Sequence, residues 1–209
     1  MNGILKELLP KAQSGDAIAQ EALAFAYVDQ DKDYYNAVRW LEEAERNGHL
    51  SVRGAWIIGM CYDDGNGVPK NAEKAEHYYR IAADSAEDNE YVNRACYWLA
   101  NGHWAGDITF GEDFAIAVYY LEKMLKNNTK KLQDGAKLDL AIIFAIAEDP
   151  IYNSERAEYY IDLVKKTVTD PEILDKVGEV EGIIAESKIS HMAQSILGDA
   201  TDVLRDSYS

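Results

Sequence analysis

The stretch CYDDGNGVPKNAEKAEHYY, Cys61 to Tyr79, gathers residues that could hold a ligand: adjacent carboxylates Asp63 and Asp64, glycines at 65 and 67, a proline and two lysines. A calcium loop of the helix–loop–helix type needs oxygen ligands at alternating positions and a bidentate glutamate at the twelfth. Counted from Asp63, the third position is Gly65, the fifth Gly67 and the twelfth Lys74, so the oxygens are missing where an ion would need them. A phosphate loop needs a hydroxyl residue directly after its lysine and a helix N-terminus aimed at the anion. GNGVPKN has neither hydroxyl nor neutral surroundings. What remains is a connector. Gly65 and Gly67 supply the positive-φ conformations of a helix end and a tight turn, Pro69 stops the helix, and Asn71 caps the next one. Val68 is expected to tuck into the core beneath the turn.

The other reactive residues are no better placed. None of His49, His77, His103 and His191 shares a helix with another at metal-ligand spacing, and no H-E-x-x-H occurs. Cys61 and Cys96 form no C-x-x-C and fall at different register positions, so neither a redox pair nor a bridge is expected. There is no G-x-S-x-G. Carboxylate pairs such as Glu42–Glu43 fit a solvated face. The expectation is no catalytic residue, no metal and no cofactor.

The elements that carry these residues are helices. Only four prolines and 14 glycines occur among 209 residues, with 47% apolar and 28% charged residues, a composition suited to a mostly helical globular chain. The net charge of −16 argues against nucleic acid and anionic membranes and favours basic partners. The N-terminal residues MNGILKELLPKAQSGD lack the pattern of a secretory leader, and no apolar run reaches the roughly 18 residues a membrane span needs. A cytoplasmic chain with reduced thiols is expected.

Four segments repeat one pattern: AVRWLEEA, AEHYYRIA, AVYYLEKM and AEYYIDLV. They start at Ala37, Ala75, Ala117 and Ala157, separated by 38, 42 and 40 residues. Each sets an aromatic three residues after the alanine (Trp40, Tyr78, Tyr120, Tyr160), then a small or apolar residue four further on, all on one helical stripe. An apolar helical segment precedes each, around 19–27, 54–62, 94–103 and 138–145. In these, Leu23–Ala24–Tyr27, Ile58–Gly59–Tyr62, Leu99–Ala100–His103 and Leu140–Ala141–Phe144 line up as large, small, then ring. The alignment gives His103 a core or half-buried position. Helix–turn–helix units of about 40 residues bury their faces only by stacking on neighbours, so the fold class is all-α, an α/α superhelical solenoid.

The second unit, IGMCYDDGNGVPKNAEKAEHYYRIAA, resembles a Sel-1-like repeat (SLR), a relative of the tetratricopeptide repeat. The resemblance rests on Gly59, Tyr62, Gly65, Gly67, Val68, Lys74, Ala75, Tyr78, Ala82 and Ala83, with Asn71 where aspartate is usual. AQSGDAIAQEAL, Ala12 to Leu23, is similar to the start of such a unit. The likeness spans residues 12–166, strong in this unit and degenerate in the other three. The first connector is shortened to VDQDKDYYN, the third keeps Gly106 but loses the second glycine and the valine, and the fourth reads IAEDPIYNSE. In tetratricopeptide proteins the first helix of each pair lines a concave groove. The resemblance then implies a partner-binding groove formed by Glu21, Phe25 and Asp29 in the first unit. The second unit contributes Arg53, Trp56, Met60, Asp63 and Asp64, and the third Arg94, Tyr97, Asn101 and Trp104. The alternative for Trp56 and Trp104 is packing between repeats.

One repeat domain is expected over 1–209: a capping helix in 1–15, four helix pairs in 16–166, and a divergent capping pair in 167–209. Helical patterns near 170–186 and 188–205 suggest that last pair, with Ile183, Ile184, Ile189, Met192 and Ile196 as its anchors. The basic cluster KNNTKK, 126–131, reads as a solvated turn. The resemblance implies a non-catalytic adaptor or scaffold that binds a basic protein or peptide, with a monomer as the expected state. A narrower version is a bacterial immunity protein or inhibitor that neutralises a cationic toxin. A hydrolase on a repeat fold is the alternative of a different class.

Overall fold

The computed structural model describes residues 3–105, 113–129, 132–148 and 150–207, with side chains followed as far as Gln194. A short helix, α1 (Gly3–Gln13), leads into four helix pairs. The pairs are α2 (Ala17–Ala26) with α3 (Tyr34–Arg46), α4 (Val52–Asp64) with α5 (Ala72–Asp84), α6 (Glu90–Ala105) with α7 (Phe114–Lys126), and α8 (Gln133–Ile146) with α9 (Ser154–Thr167). A final helix, α10, runs from Pro171 to Ser207. Each helix packs on its pair partner, each first helix also packs on the second helix of the pair before it, and α4 lies beside α6. This is the all-α repeat array expected from the 40-residue period. The connector residues 106–112, including Gly106, and Lys130 and Lys131 of the basic cluster lie outside the described residues.

The repeat positions explain the stacking. Ala37, Ala75, Ala117 and Ala157 are each 0% exposed, and Tyr78, Tyr120 and Tyr160 are buried beside them, while Trp40 is half-buried. A methyl group at these four places lets the paired helices approach while the ring fills the adjoining gap. Gly59 meets the need from the other side: a Cβ there would stand 2.8 Å from the Tyr79 ring.

Every second helix starts with an Asp or Asn four residues before its repeat alanine. Asp33, Asn71, Asp113 and Asn153 accept from the backbone N–H of Asn36, Lys74, Ile116 and Arg156 at 2.9–3.1 Å. The backbone N–H of each cap also donates to the carbonyl of the ring residue in the preceding helix. The acceptors are Tyr27 (3.1 Å), Tyr62 (2.9 Å), His103 (2.9 Å) and Phe144 (2.9 Å). Connectors of different length and composition thus close with one bond. The shortest does so through a π-helical turn, Tyr27–Asp31, that ends on Lys32 at φ +54°.

Rings and charges recur at alternate interfaces. Tyr62 stacks on Tyr78 (6.2 Å) and Phe144 on Tyr160 (6.0 Å), each nearly parallel. A cation from the next helix lies over the first ring in both cases, Lys74 over Tyr62 at 4.5 Å and Arg156 over Phe144 at 4.0 Å. A carboxylate of the preceding second helix completes the set: Glu42 accepts from Tyr62 at 2.7 Å, and Glu122 accepts from Tyr160 and pairs with Arg156. In the third unit the same positions hold His103, Ile116 and Arg80, and the pattern lapses there.

The opening stretch is a connector, as its residues suggest. Gly65 ends α4 at φ +77°, Gly67 turns at φ +73°, and Val68 is half-buried against the core. Cys61 and Cys96 are free and buried, and burial pushes both thiols up to about 12. Among the described residues no group of three or more His, Cys, Asp or Glu stands close enough to hold a metal ion.

The C-terminal expectation needs correction. One continuous 37-residue helix stands where two were expected, because residues 185–190, AESKIS, hold no proline or glycine that would break it. Ile184 is buried and Ile183 half-buried, but Ile189 and Met192 are exposed and do not anchor the helix on the array.

The two turn glycines give a test of this packing. A Cβ on Gly67 would fall 2.3 Å from the Tyr35 backbone nitrogen, whereas on Gly65 it would meet the flexible Lys70 side chain at 2.9 Å. Gly67→Ala should therefore cost about 2–4 kcal/mol in denaturant unfolding, and Gly65→Ala about 1–2 kcal/mol, the strain of a left-handed non-glycine residue. Equal costs would mean that the turn does not rest on α3.

Candidate protein-binding face

The first helices α2, α4, α6 and α8 carry the face on which the expected groove residues stand. Contacts between adjacent units join five of them. The Arg53 guanidinium of α4 lies 4.3 Å from the centre of the Phe25 ring of α2 and bonds Asp29 at 2.6 Å. Asp63 of α4 accepts from the Trp98 indole of α6 at 2.8 Å. The Tyr97 hydroxyl of α6 donates to Asp139 of α8 and accepts from Asn101. A chain of rings, cations and carboxylates therefore crosses three successive boundaries between units.

The middle of this chain is aromatic. Tyr79 of α5, 1% exposed, lies between two half-buried tryptophans, with ring centres 4.9 Å from Trp56 and 4.2 Å from Trp98. Offset rings at such distances pack favourably beyond the area they bury. Trp56 packs against a ring of its own unit and keeps part of its surface exposed. Met60 and Trp104 are also half-buried. Asp64 is exposed beside Asn66, which donates to it at 3.3 Å, and Arg94 pairs with Glu90 one turn earlier at 3.5 Å.

Glu21 does not share this surface. It is 6% exposed and lies between the first two units, where it accepts from the Ser51 backbone N–H at 2.7 Å and contacts His49 at 2.9 Å. A helical register alone cannot distinguish a groove position from one covered by the incoming loop. Three residues of the face were not foreseen. Trp98 occupies the register of Ile57, a core position, and Tyr79 follows the repeat tyrosine on a second helix. Asp139 of the fourth unit occupies that same register, which the second unit fills with core Ile57.

Asp139 is the electrostatically unusual member. Burial raises its carboxyl to about 6, against the opposing effects of the Tyr97 hydrogen bond and of Lys176. A shallow cavity of about 310 Å³ opens nearby, lined by Tyr97, Leu132, Asp134, Gly135, Asp170 and Ile173. Its lining is about equally polar and apolar, and its charged groups, Asp134 and Asp170, are acids.

Comparisons with known proteins agree with this architecture. The Sel1 repeat pattern matches residues 17–49, 52–86 and 93–128, the first three helix pairs. The fold is similar to the crystal structure of c5321, a protective antigen of uropathogenic Escherichia coli strains displaying an SLR fold. The two share 21% identity at a TM-score of 0.58, over 81% of this chain and 34% of that one. It is similar also to a Sel1 repeat protein from Oxalobacter formigenes, at 26% identity and a TM-score of 0.59, over 79% of this chain and 65% of that one. The chain thus spans about a third of the first of these proteins and just under two thirds of the second. No curated protein matches it. By its repeat pattern and its array of helix pairs, this chain belongs to the Sel1 repeat family.

Proposed function

We propose that the chain is a non-catalytic interaction module that holds a basic protein segment along the face of its first helices. Sel1 repeats commonly mediate protein–protein interaction, and the chemistry of the first-helix face supports that use here. The observation that carries the reading is a cross-unit contact at each of three boundaries between Phe25 and Asp139, in which half-buried aromatic rings stand beside carboxylates. Partly exposed tryptophan and tyrosine with methionine nearby is a composition that binds protein side chains well. Asp29, Asp63, Asp64 and Asp139 offer sites for lysine or arginine, and the net charge of −16 would steer a cationic partner toward the array. Among the described residues no helix is long and apolar enough to cross a membrane.

Peptide arrays graded in charge at constant length test this reading. Lysine- and arginine-rich peptides should bind most tightly, and Trp56→Ala should weaken them about tenfold or more, as loss of a central interface ring does. Raising the salt concentration should weaken binding further. Equal retention of acidic peptides, or no effect of Trp56→Ala, would remove the face from consideration.

The raised carboxyl adds a pH signature. Asp139 gains a proton as pH falls through about 6, so the face loses a negative charge below that value. Affinity for an arginine-rich peptide should therefore drop between pH 7 and pH 5, and Asp139→Asn should flatten the profile at the lower affinity. Isothermal titration of both proteins over that range would show it. A wild-type profile already flat would mean that Asp139 does not meet the ligand.

A further inference from the structure

Helix α10 has two unlike faces. Toward the array it sets Ile173, Val177, Val180, Ile184, Ser187 and His191 at spacings of four and three. Val177, Val180 and Ile184 are buried, the Ser187 hydroxyl donates to the Ala145 carbonyl, and His191 stacks on Tyr152 at 3.5 Å. Away from the array run Gly178, Gly182, Ala185, Ile189 and Met192, again at spacings of four and three, and all are exposed. Ile189 and Met192 show 70% and 66% of their surface, high values for large apolar side chains. Ile196, the remaining expected anchor, lies beyond the described side chains.

Nothing inside the array accounts for this face. A Cβ on Gly178 or Gly182 would meet no atom within 4 Å, so neither glycine makes room for a neighbour in its own chain. Glycine inside a helix is costly, and its usual compensation is the close approach of another backbone. The helix also outreaches what it covers. Its 37 residues extend about 55 Å, whereas the 14 residues each of α8 and α9 extend about 21 Å.

We propose that this outer face of α10 packs antiparallel against the same face of a second copy, about a two-fold axis near Ala185. Two features select that occupant and that direction. The stripe runs from small to large, so reversing it sets Gly178 opposite Met192 and Gly182 opposite Ile189, with side chains of one helix filling the gaps of the other. Charge is distributed to match. Residues 172–181 hold Glu172, Asp175, Glu179 and Glu181, whereas residues 189–198, ISHMAQSILG, hold no carboxylate. A parallel pair would set four acids against their own copies, and the antiparallel pair sets them opposite the uncharged half. A dimer replaces the monomer expected from sequence, and it stands independently of the binding face.

Sedimentation equilibrium of the full chain should give a particle of twice the 23.4 kDa chain mass. The double variant Ile189→Asp/Met192→Asp should raise the dimer dissociation constant at least a hundredfold, with helical circular dichroism unchanged and a melting temperature that no longer depends on protein concentration. Direction is read by cysteine pairing, since Cys61 and Cys96 are both buried and do not compete. Ala185→Cys should cross-link to itself under mild oxidation, and Gly178→Cys to Met192→Cys but not to itself. A wild-type chain that sediments as a monomer, a dimer that survives the double variant, or self-linking by Gly178→Cys would overturn the proposal.

Discussion

One backbone hydrogen bond holds each pair of the array in shape: the N–H of the second helix's capping residue donates to the carbonyl of the ring residue near the end of the first. A helix end leaves carbonyls without partners, and a buried one must find a donor. Here the donor is supplied by the residue that also starts the returning helix, so satisfying the helix end and setting the angle of return are one event. A single such bond contributes only about 1 kcal/mol, but it fixes where the next helix begins, and the packing of rings and alanines follows from that placement. Connectors are then free to vary. A π-helical turn serves the first, and a glycine turn that rests on α3 serves the second.

Tyr79 links that frame to the surface. Its ring presses on Gly59 within its own unit and lies between Trp56 and Trp98, which belong to successive first helices. The aromatic centre of the proposed binding face is thus set by a buried residue of a second helix, and the spacing between units is transmitted to the outside through ring contacts. Such an arrangement presents side chains with little freedom left to lose when a partner binds.

The helix pairs were legible because alanine, ring and small residue recur at one helical spacing, a periodicity that turn chemistry cannot imitate. Asn71 was legible as a cap because it follows Pro69. The equivalent Asp33, Asp113 and Asn153 were not, since the closing bond uses a backbone N–H that any residue but proline provides. The side-chain layout of the first helices was legible in part: Phe25, Arg53 and Tyr97 make contacts across units, and Trp56 packs on Tyr79 within its own unit. Glu21 was misplaced because the loop that covers it lies 28–30 residues further along the chain. Trp98 was hidden by sharing the register of a core isoleucine. The continuity of α10 was obscured by the expectation of a fifth pair, although nothing between Ala185 and Ser190 breaks a helix.

Amide hydrogen exchange of the chain with and without a saturating arginine-rich peptide would locate recognition most directly. Protection concentrated in Val52–Asp64 and Glu90–Ala105, the two helices that carry Trp56 and Trp98, is the predicted result. Protection confined to the second helices, Ala72–Asp84, Phe114–Lys126 and Ser154–Thr167, would place binding on the opposite side of the array and contradict the assignment of the face.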